Sequence, residues 1–322
     1  MRRIKIGIPR ALLYFWYGPA WRVFFQEMGL TPLVSGPTGK EILNAGVKAA
    51  VEEVCLPVKI FLGHSLTMQT QCDCLLTPRY ISVNKGEFIC PKFMGLPEMT
   101  RQAVGTGRQL IWKSDHKCHW GSLKALPREI TSGYAQSRVK KSLKKAKAAL
   151  EAYHLLMQGG LLPLEAETAL LKGSQPSAAD YEPAIGLIGH PYCLHDAFIN
   201  LGTVQLLREQ GFKVLVPEMF PARQIALELR DLPKPLFWTL GQRILGAFRL
   251  MWKKGVAGVV YLSAFACGPE ALIGEMVKRE SKAAGLPLLQ LDLDEHSGEA
   301  GFITRMEAFL DLLKRKRRYS CV

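Results

Sequence analysis

Eight short runs rich in β-branched and other apolar residues punctuate the chain. They are IKIGIP (Ile4 to Pro9), TPLVS (Thr31 to Ser35), CLLTPRYISV (Cys74 to Val83), QLIWK (Gln109 to Lys113), AIGLIGHP (Ala184 to Pro191), KVLVP (Lys213 to Pro217), GVVYLSAF (Gly258 to Phe265) and LPLLQLDL (Leu286 to Leu293). Amphipathic or helix-forming sequence separates most of them, and strands that alternate with helices predict parallel sheets in an α/β architecture.

The two halves repeat each other. In IGIPRALLYFWYGPAWRVFFQEMGLTPLVS, Pro9 stands 20 residues before Gly29; in IGHPYCLHDAFINLGTVQLLREQGFKVLVP, Pro191 stands 20 before Gly211. Each reads strand, proline-containing turn, helix, glycine, strand, with the glycine where a helix end needs a left-handed backbone. The reading is an α/β fold of two doubly wound lobes made by internal duplication. The stretch between them predicts one long helix near Ser132 to Gln158, then a linker, GSQPSAADYEP (Gly173 to Pro183). The expected division is an N-terminal lobe over 1–122, a helical bridge and linker over 123–182, and a C-terminal lobe over 183–322.

Length agrees with that division, since 322 residues suit two domains of roughly 150 residues each. No apolar run approaches the roughly 18 residues of a membrane span. The N-terminus enters a strand pattern without an apolar leader, so the expected location is the cytoplasm. Eight irregularly spaced cysteines read there as thiols or metal ligands rather than a disulfide framework. A net charge of +14 attracts phosphates and acidic partners without choosing among them. No nucleic-acid-binding signature accompanies it.

Three cysteines share a context. Cys55 in EVCLPVK, Cys90 in FICPKF and Cys267 in FACGPE each precede a proline by one or two residues and open into helix-forming sequence. Proline is best tolerated in a helix's first turn. In doubly wound sheets the loops after the strands are where ligands gather. The offset of 182 between the matched prolines carries Cys90 to within five residues of Cys267, so the two occupy nearly equivalent loops that face one cleft. Cys55 maps to Phe237 and has no such counterpart. Three thiolates would suit an iron–sulfur cluster with one iron left open better than structural zinc, which usually draws on a close cysteine pair. Read plainly, each is a small buried apolar side chain. Cys193 is a candidate fourth ligand. Cys72 and Cys74 read as core, Cys118 with His116 and His119 as a cluster without partners elsewhere, and Cys321 as exposed.

IGIPRALLYFWYGPAWRVFFQEMGL, EVCLPVKIFLGH, TPRYISVNKGEFICPKFMGLP, GHPYCLHDAFIN, SAFACGPEALIGEMVKRE and LDLDEHSGEAGFITRMEAFLDLL resemble the acyl-CoA dehydratase activase-related proteins. These are relatives of the catalytic subunits of 2-hydroxyacyl-CoA dehydratases and of the double-cubane cluster proteins. The resemblance spans nearly the whole chain and is weakest from Leu123 to Pro183. It implies two Rossmann-like lobes with a [4Fe-4S] cluster held by Cys55, Cys90 and Cys267. It also implies an ATP-dependent, ASKHA-type activase as partner, supplying a low-potential electron. In the dehydratase relatives that electron permits loss of water from a 2-hydroxyacyl-CoA through a ketyl radical. Two roles follow for this chain: a dehydratase-like lyase or reductase acting on an acyl-CoA or another small molecule, or a non-catalytic electron relay or scaffold. A homo- or heterodimer fits either. No glycine-rich phosphate loop is present, so ATP would be bound by the partner.

Several other residues sit where a ligand-facing loop is expected. Glu295 and His296, at the carboxyl end of the last strand, are candidates for proton transfer or cluster contact. The same stretch equally suits a helix start, with Ser297 as cap and Glu299 on the helix dipole. His190 is a candidate acid or proton carrier in the turn after the second lobe's first strand. Tyr192 in that turn and Arg10 in the matching first-lobe turn are candidates for substrate contact, an ordinary salt bridge being the plain reading of Arg10. Lys140, Lys141, Lys144, Lys145 and Lys147 read as a solvated helix face or as a dock for an acidic partner or coenzyme A phosphates.

Overall fold

The computed structural model describes residues 3–105, 107–115, 120, 122–126, 130, 134–173 and 182–320. The first lobe runs β1 (Lys5–Ile8), α1 (Tyr14–Glu27), β2 (Thr31–Val34), α2 (Lys40–Ala49), α3 (Leu56–Met68), β3 (Cys74–Tyr80), α4 (Pro91–Met94), α5 (Leu96–Val104) and β4 (Gln109–Ser114). Between the lobes lie α6 (Gln136–Gln158) and α7 (Pro163–Lys172). The second lobe follows as β5 (Ala184–Gly189), α8 (Pro191–His195), α9 (Thr203–Glu209), β6 (Lys213–Leu215), α10 (Ala222–Glu228) and α11 (Thr239–Lys253). It ends with β7 (Val259–Ala264), α12 (Gly268–Ala284), β8 (Leu288–Leu293) and α13 (Glu299–Ser320).

All eight strand signals become strands, in two four-stranded parallel sheets ordered β2-β1-β3-β4 and β6-β5-β7-β8. The identical order is the duplication made visible, and two Rossmann-like lobes result. Parallel strands covered on both faces carry apolar runs rather than an alternation, and every residue of β7 is buried. Gly29 and Gly211 adopt φ of +79° and +82°, the left-handed backbone expected at both helix ends.

The long helix begins at Gln136 rather than near Ser132, because Tyr134 and Ala135 are non-helical and Ala135 takes an extended φ/ψ as the helix's N-cap. It buries Val139, Leu143, Ala146, Leu150, Tyr153 and Met157, a stripe at three- and four-residue spacing. This face packs on α1, where the Tyr153 hydroxyl donates to Phe15 O at 2.7 Å. The five lysines of its basic run are exposed; Lys145 pairs with Glu27 at 2.7 Å and Lys147 lies 5.8 Å from the Trp120 ring. Most of the expected linker, Ser174 to Tyr181, lies outside the described residues, as do His116, Cys118, His119 and Cys321. Among the described residues no helix is long and apolar enough to cross a membrane.

Two helices of the first lobe approach unusually closely. A Cβ on Gly46 of α2 would stand 1.9 Å from Lys59 O, and one on Gly63 of α3 would stand 2.0 Å from Ile42 O. Backbone cannot yield as a flexible side chain can, so these two positions need glycine on steric grounds alone. The contact fixes the first turn of α3, which begins directly after Cys55.

The lobes are tied to each other by side chains. Trp16 Nε1 donates to Glu218 Oε1 at 3.1 Å, and Glu218 Oε2 lies 3.0 Å from His195 Nε2. Lys59 forms an ion pair with Glu295, and the Thr38 hydroxyl donates to Asp196. Phe88 stacks on Phe237 with ring centroids 4.5 Å apart. Glu218 is buried, and although burial alone would raise its pKa, His195, Arg243 and Trp16 hold it down at about 2.

Two stability predictions follow. Gly46→Ala should lower the unfolding free energy by about 3 kcal/mol or more, since overpacking against rigid backbone lies at the costly end of such changes; urea denaturation measures it. For Glu218 the folded pKa lies below the ordinary 4.5, so its stabilisation is present above pH 4.5 and is lost as pH falls toward 2. Buried His64 and half-buried His154, each held neutral with a pKa of about 4 chiefly by desolvation, add a decline that starts below pH 6.5. Glu218→Gln should therefore flatten the acid limb of stability below pH 4.5 and leave the His-dependent decline in place, as read from unfolding midpoints between pH 7 and 3.

Candidate functional site

Each of the three proline-flanked cysteines occupies the N-cap of a helix. Cys55 caps α3, Cys90 caps α4 and Cys267 caps α12, with proline in the first two helical positions each time. Cys90 and Cys267 follow β3 and β7, the equivalent third strands of the two lobes, and Cys55 precedes the helix leading into β3. All six described cysteines are free thiols. The three N-cap thiols lie near enough to act on one another: Cys90 and Glu270 both raise the Cys55 thiol, and Cys55 and Cys90 both raise the Cys267 thiol.

Burial is the largest influence on two of these thiols. It pushes Cys55 up, with the Lys92 ammonium and the Val58 amide opposing it. Cys267 is pushed far up by burial and by the Glu270 carboxylate. Such thiols stay protonated at neutral pH unless a cation replaces the proton, and helix N-termini favour the thiolate once it forms. Donor chemistry, burial and the mutual influence of the three thiols fit a thiolate-bound metal group.

Glu270 organises the second-lobe wall. It stands in the third position of α12 and is 1% exposed. Its Oε2 accepts the Ala264 N–H at 2.8 Å and its Oε1 the His190 N–H at 3.1 Å. Burial pushes its pKa up to about 7 even though these two amides pull it down. His190, the N-cap of α8, places Nδ1 at 3.4 Å from Glu270 Oε1 and 2.6 Å from the Tyr192 hydroxyl. Donor atoms of His190, Cys267 and Glu270 all lie within 4.8 Å of one another. Burial holds the His190 ring neutral, at about 3. Tyr192 packs its ring 5.9 Å from Phe93, three residues past Cys90. Cys193 is fully buried behind this wall, its thiol raised by burial, then by Glu270, Cys267 and Cys55.

The remaining candidates are distributed around this centre. Glu295 reaches it indirectly, through the ion pair with buried Lys59 one turn after Cys55. His296 is exposed, its N–H donating to Asp294 Oδ1 at 2.8 Å. Ser297 turns its hydroxyl to Asp294, donating at 3.0 Å, and α13 starts two residues later. The loop closes on itself there instead of using Ser297 as the cap. Arg10 lies beside a second inter-lobe cluster, in which the Thr38 hydroxyl bridges His64 Nε2 (2.9 Å) and Asp196. Its charge acts on both His64 and Asp196, and its Nε is buried without a hydrogen-bond partner. Sequence reasoning assigned no role to Glu270 or Lys59. The available signal for Glu270 was its place three residues after an N-cap, where a glutamate commonly folds back onto backbone amides.

Replacing Glu270 with Gln removes a charge that raises the Cys267 thiol while keeping the side chain's shape. The expected outcome is faster alkylation of Cys267 by iodoacetamide at pH 8 in Glu270→Gln than in the parent protein, followed by mass spectrometry of the Cys267 peptide. Unchanged or slower alkylation would show that the carboxylate does not govern that thiol.

No curated protein matches the chain. A family model described as CoA enzyme activase uncharacterised domain (DUF2229) matches residues 5–220. The match includes Cys55, Cys90, His190 and Tyr192 and stops short of Cys267. With well over half of its length inside that model, the chain belongs to the CoA enzyme activase uncharacterised domain family.

Proposed function

We propose that this protein is an iron–sulfur member of the 2-hydroxyacyl-CoA dehydratase-like superfamily, in which Cys55, Cys90 and Cys267 hold a [4Fe-4S] cluster. Low-potential electrons would come from an ATP-dependent activase, and the substrate would be an acyl-CoA or a related small molecule. The reading rests on one observation above the others: three free cysteines stand at the N-caps of three helices, with thiols near enough to influence one another. Such a cluster, when bound, supplies one-electron chemistry at low potential. The chain's own residues would do the rest. Glu270 fixes the Cys267 loop, the Val58 amide favours the Cys55 thiolate, and the Lys59–Glu295 pair holds the lobes together beside Cys55. His190 and Tyr192 present a hydrogen-bonded pair on the same wall, suited to moving or holding a proton. Arg10 is suited to holding a carboxylate or phosphate.

A specific observation favours the second reading, electron relay without chemistry on a small molecule. Phe265 and Leu272, on either side of Cys267, are 65% and 59% exposed, and Met94, four residues after Cys90, is 44% exposed. Large apolar side chains left in water around a site suit docking of another protein.

Anaerobic purification and reconstitution, with iron and sulfide analysis, tests the cluster. The expected content is about four irons and four sulfides per chain, lost in the triple variant Cys55→Ser, Cys90→Ser, Cys267→Ser. Absence of iron after anaerobic reconstitution, or full iron in the triple variant, would overturn the assignment. With the cluster in place, turnover of acyl-CoAs in the presence of activase and ATP marks an enzyme. Oxidation and reduction of the cluster by partner proteins alone marks a relay.

A further inference from the structure

Duplication makes α3 and α11 counterparts, since each is the helix that leads into the third strand of its lobe. The start of α3 carries Cys55 and Lys59. The start of α11 carries Thr239, Gln242 and Arg243, and it opens onto a different cavity of about 350 Å³ between the lobes. That volume lies at the small end of ligand pockets, roughly 300–1,000 Å³. None of Cys55, Cys90, Cys267, His190 or Glu270 lines it.

We infer that this cavity is a second ligand site, independent of the cysteine cleft, which takes a small organic carboxylate on the Arg243 guanidinium. Arg243 lines the cavity with its guanidinium carbon 5.1 Å from the Trp16 ring. Nη2 donates to Pro217 O at 3.3 Å, and Nε has no hydrogen-bond partner. Thr239, also in the lining and only 6% exposed, has an Oγ1 without a partner. Buried polar groups are normally satisfied, so two unsatisfied groups on successive turns of one helix wall point to an acceptor supplied from outside the chain.

The rest of the lining selects among acceptors. Glu218 and Glu87 are both present, and Glu218 is already engaged by Trp16 and His195. Beside two carboxylates, a single guanidinium offers too little positive charge for a phosphate dianion, so a monoanion is the most charge the cavity can take. Trp16, Met157, Phe220 and Ile225 supply an apolar remainder for a hydrocarbon body. Residues from α1, α6, α10 and α11 all contribute, so an occupant would bridge both lobes and the helix between them.

Isothermal titration of the full-length protein with hexanoate, hexanamide and inorganic phosphate tests the site. Hexanoate should bind, hexanamide about tenfold or more weakly, and phosphate more weakly than hexanoate. Arg243→Gln should lose about tenfold or more of the hexanoate affinity. If that variant folds poorly by circular dichroism, Ala226→Phe serves instead: Ala226 is exposed on α10 and lines the cavity, and the larger ring should block entry. Cys55→Ser should bind hexanoate as the parent does, which separates this site from the cysteine cleft. No hexanoate binding at millimolar concentration, phosphate binding as tightly as hexanoate, binding retained in Arg243→Gln or Ala226→Phe, or binding lost in Cys55→Ser would each overturn the inference.

Discussion

The Glu270 carboxylate joins the ends of β5 and β7, the two central strands of the second sheet, to the first turn of α12. Those strand ends lie where the strand order reverses, the position at which doubly wound sheets present their ligands. Two parallel strands have no ladder bonds left at their ends, so the N–H groups of His190 and Ala264 need an acceptor in a place water does not reach. One buried carboxylate serves both. A consequence is that everything on this wall is positioned through Glu270: Cys267 by the helix it starts, and His190 and Tyr192 by the turn it holds. The Tyr261 hydroxyl, donating to Glu270 O at 3.0 Å, anchors the same turn from the strand beneath. Desolvation makes the arrangement costly for a charge, which is why the group's pKa rises to about 7, and the two amides keep that rise from being larger.

Duplication explains the frame of the site and divergence explains its contents. Cys90 and Cys267 follow equivalent strands, so any arrangement that sets the two lobes' switch points against each other brings them toward one cleft. Cys55 breaks the symmetry. Its counterpart helix α11 is capped by Trp238, and the residue before it, Phe237, stacks on Phe88 and accepts the Phe88 N–H at 2.9 Å. Thus the second lobe uses the position corresponding to a thiol to grip the loop that delivers Cys90. One helix start became a place for a thiol, and the other became a clasp with an arginine-lined cavity beyond it.

Local features were legible in the sequence, and the reason is physical. Apolar runs mark strands in a doubly covered sheet, a positive φ demands glycine at 29 and 211, and proline one or two residues after cysteine marks a helix start. These signals depend on a few neighbouring residues. The fold and the placement of all three cysteines in turns that lead into helices could therefore be read in advance. Contacts across 80 to 236 residues, such as His190 with Glu270 and Lys59 with Glu295, leave no comparable trace. Glu270 and Lys59 went unassigned because a glutamate in a first helical turn and a lysine on a helix have ordinary surface uses. Burial changes their meaning, and burial is a property of the packed chain. The loop at Asp294 to Ser297 shows the converse: its composition suits a helix cap, yet the hydroxyl finds a nearer partner in Asp294.

How the lobes are fastened bears on how the cysteine cleft is reached. A hinge that opened the whole cleft would have to separate Lys59 from Glu295, Thr38 from Asp196 and Trp16 from Glu218, leaving buried charges and donors unpaired at each. Losing one member of a buried pair costs several kcal/mol. Access is therefore a matter of local movement in the loops that carry the cysteines, where Phe265 and Met94 already stand in solvent. Ala266, between Phe265 and Cys267, holds a φ of +62°, a left-handed backbone that a residue with a side chain adopts only at some cost. The Cys267 loop is thus strained as well as apolar at its surface, while Glu270 pins both strand ends behind it. A rigid wall with a strained, water-exposed lip suits a centre that must be held still yet approached from outside.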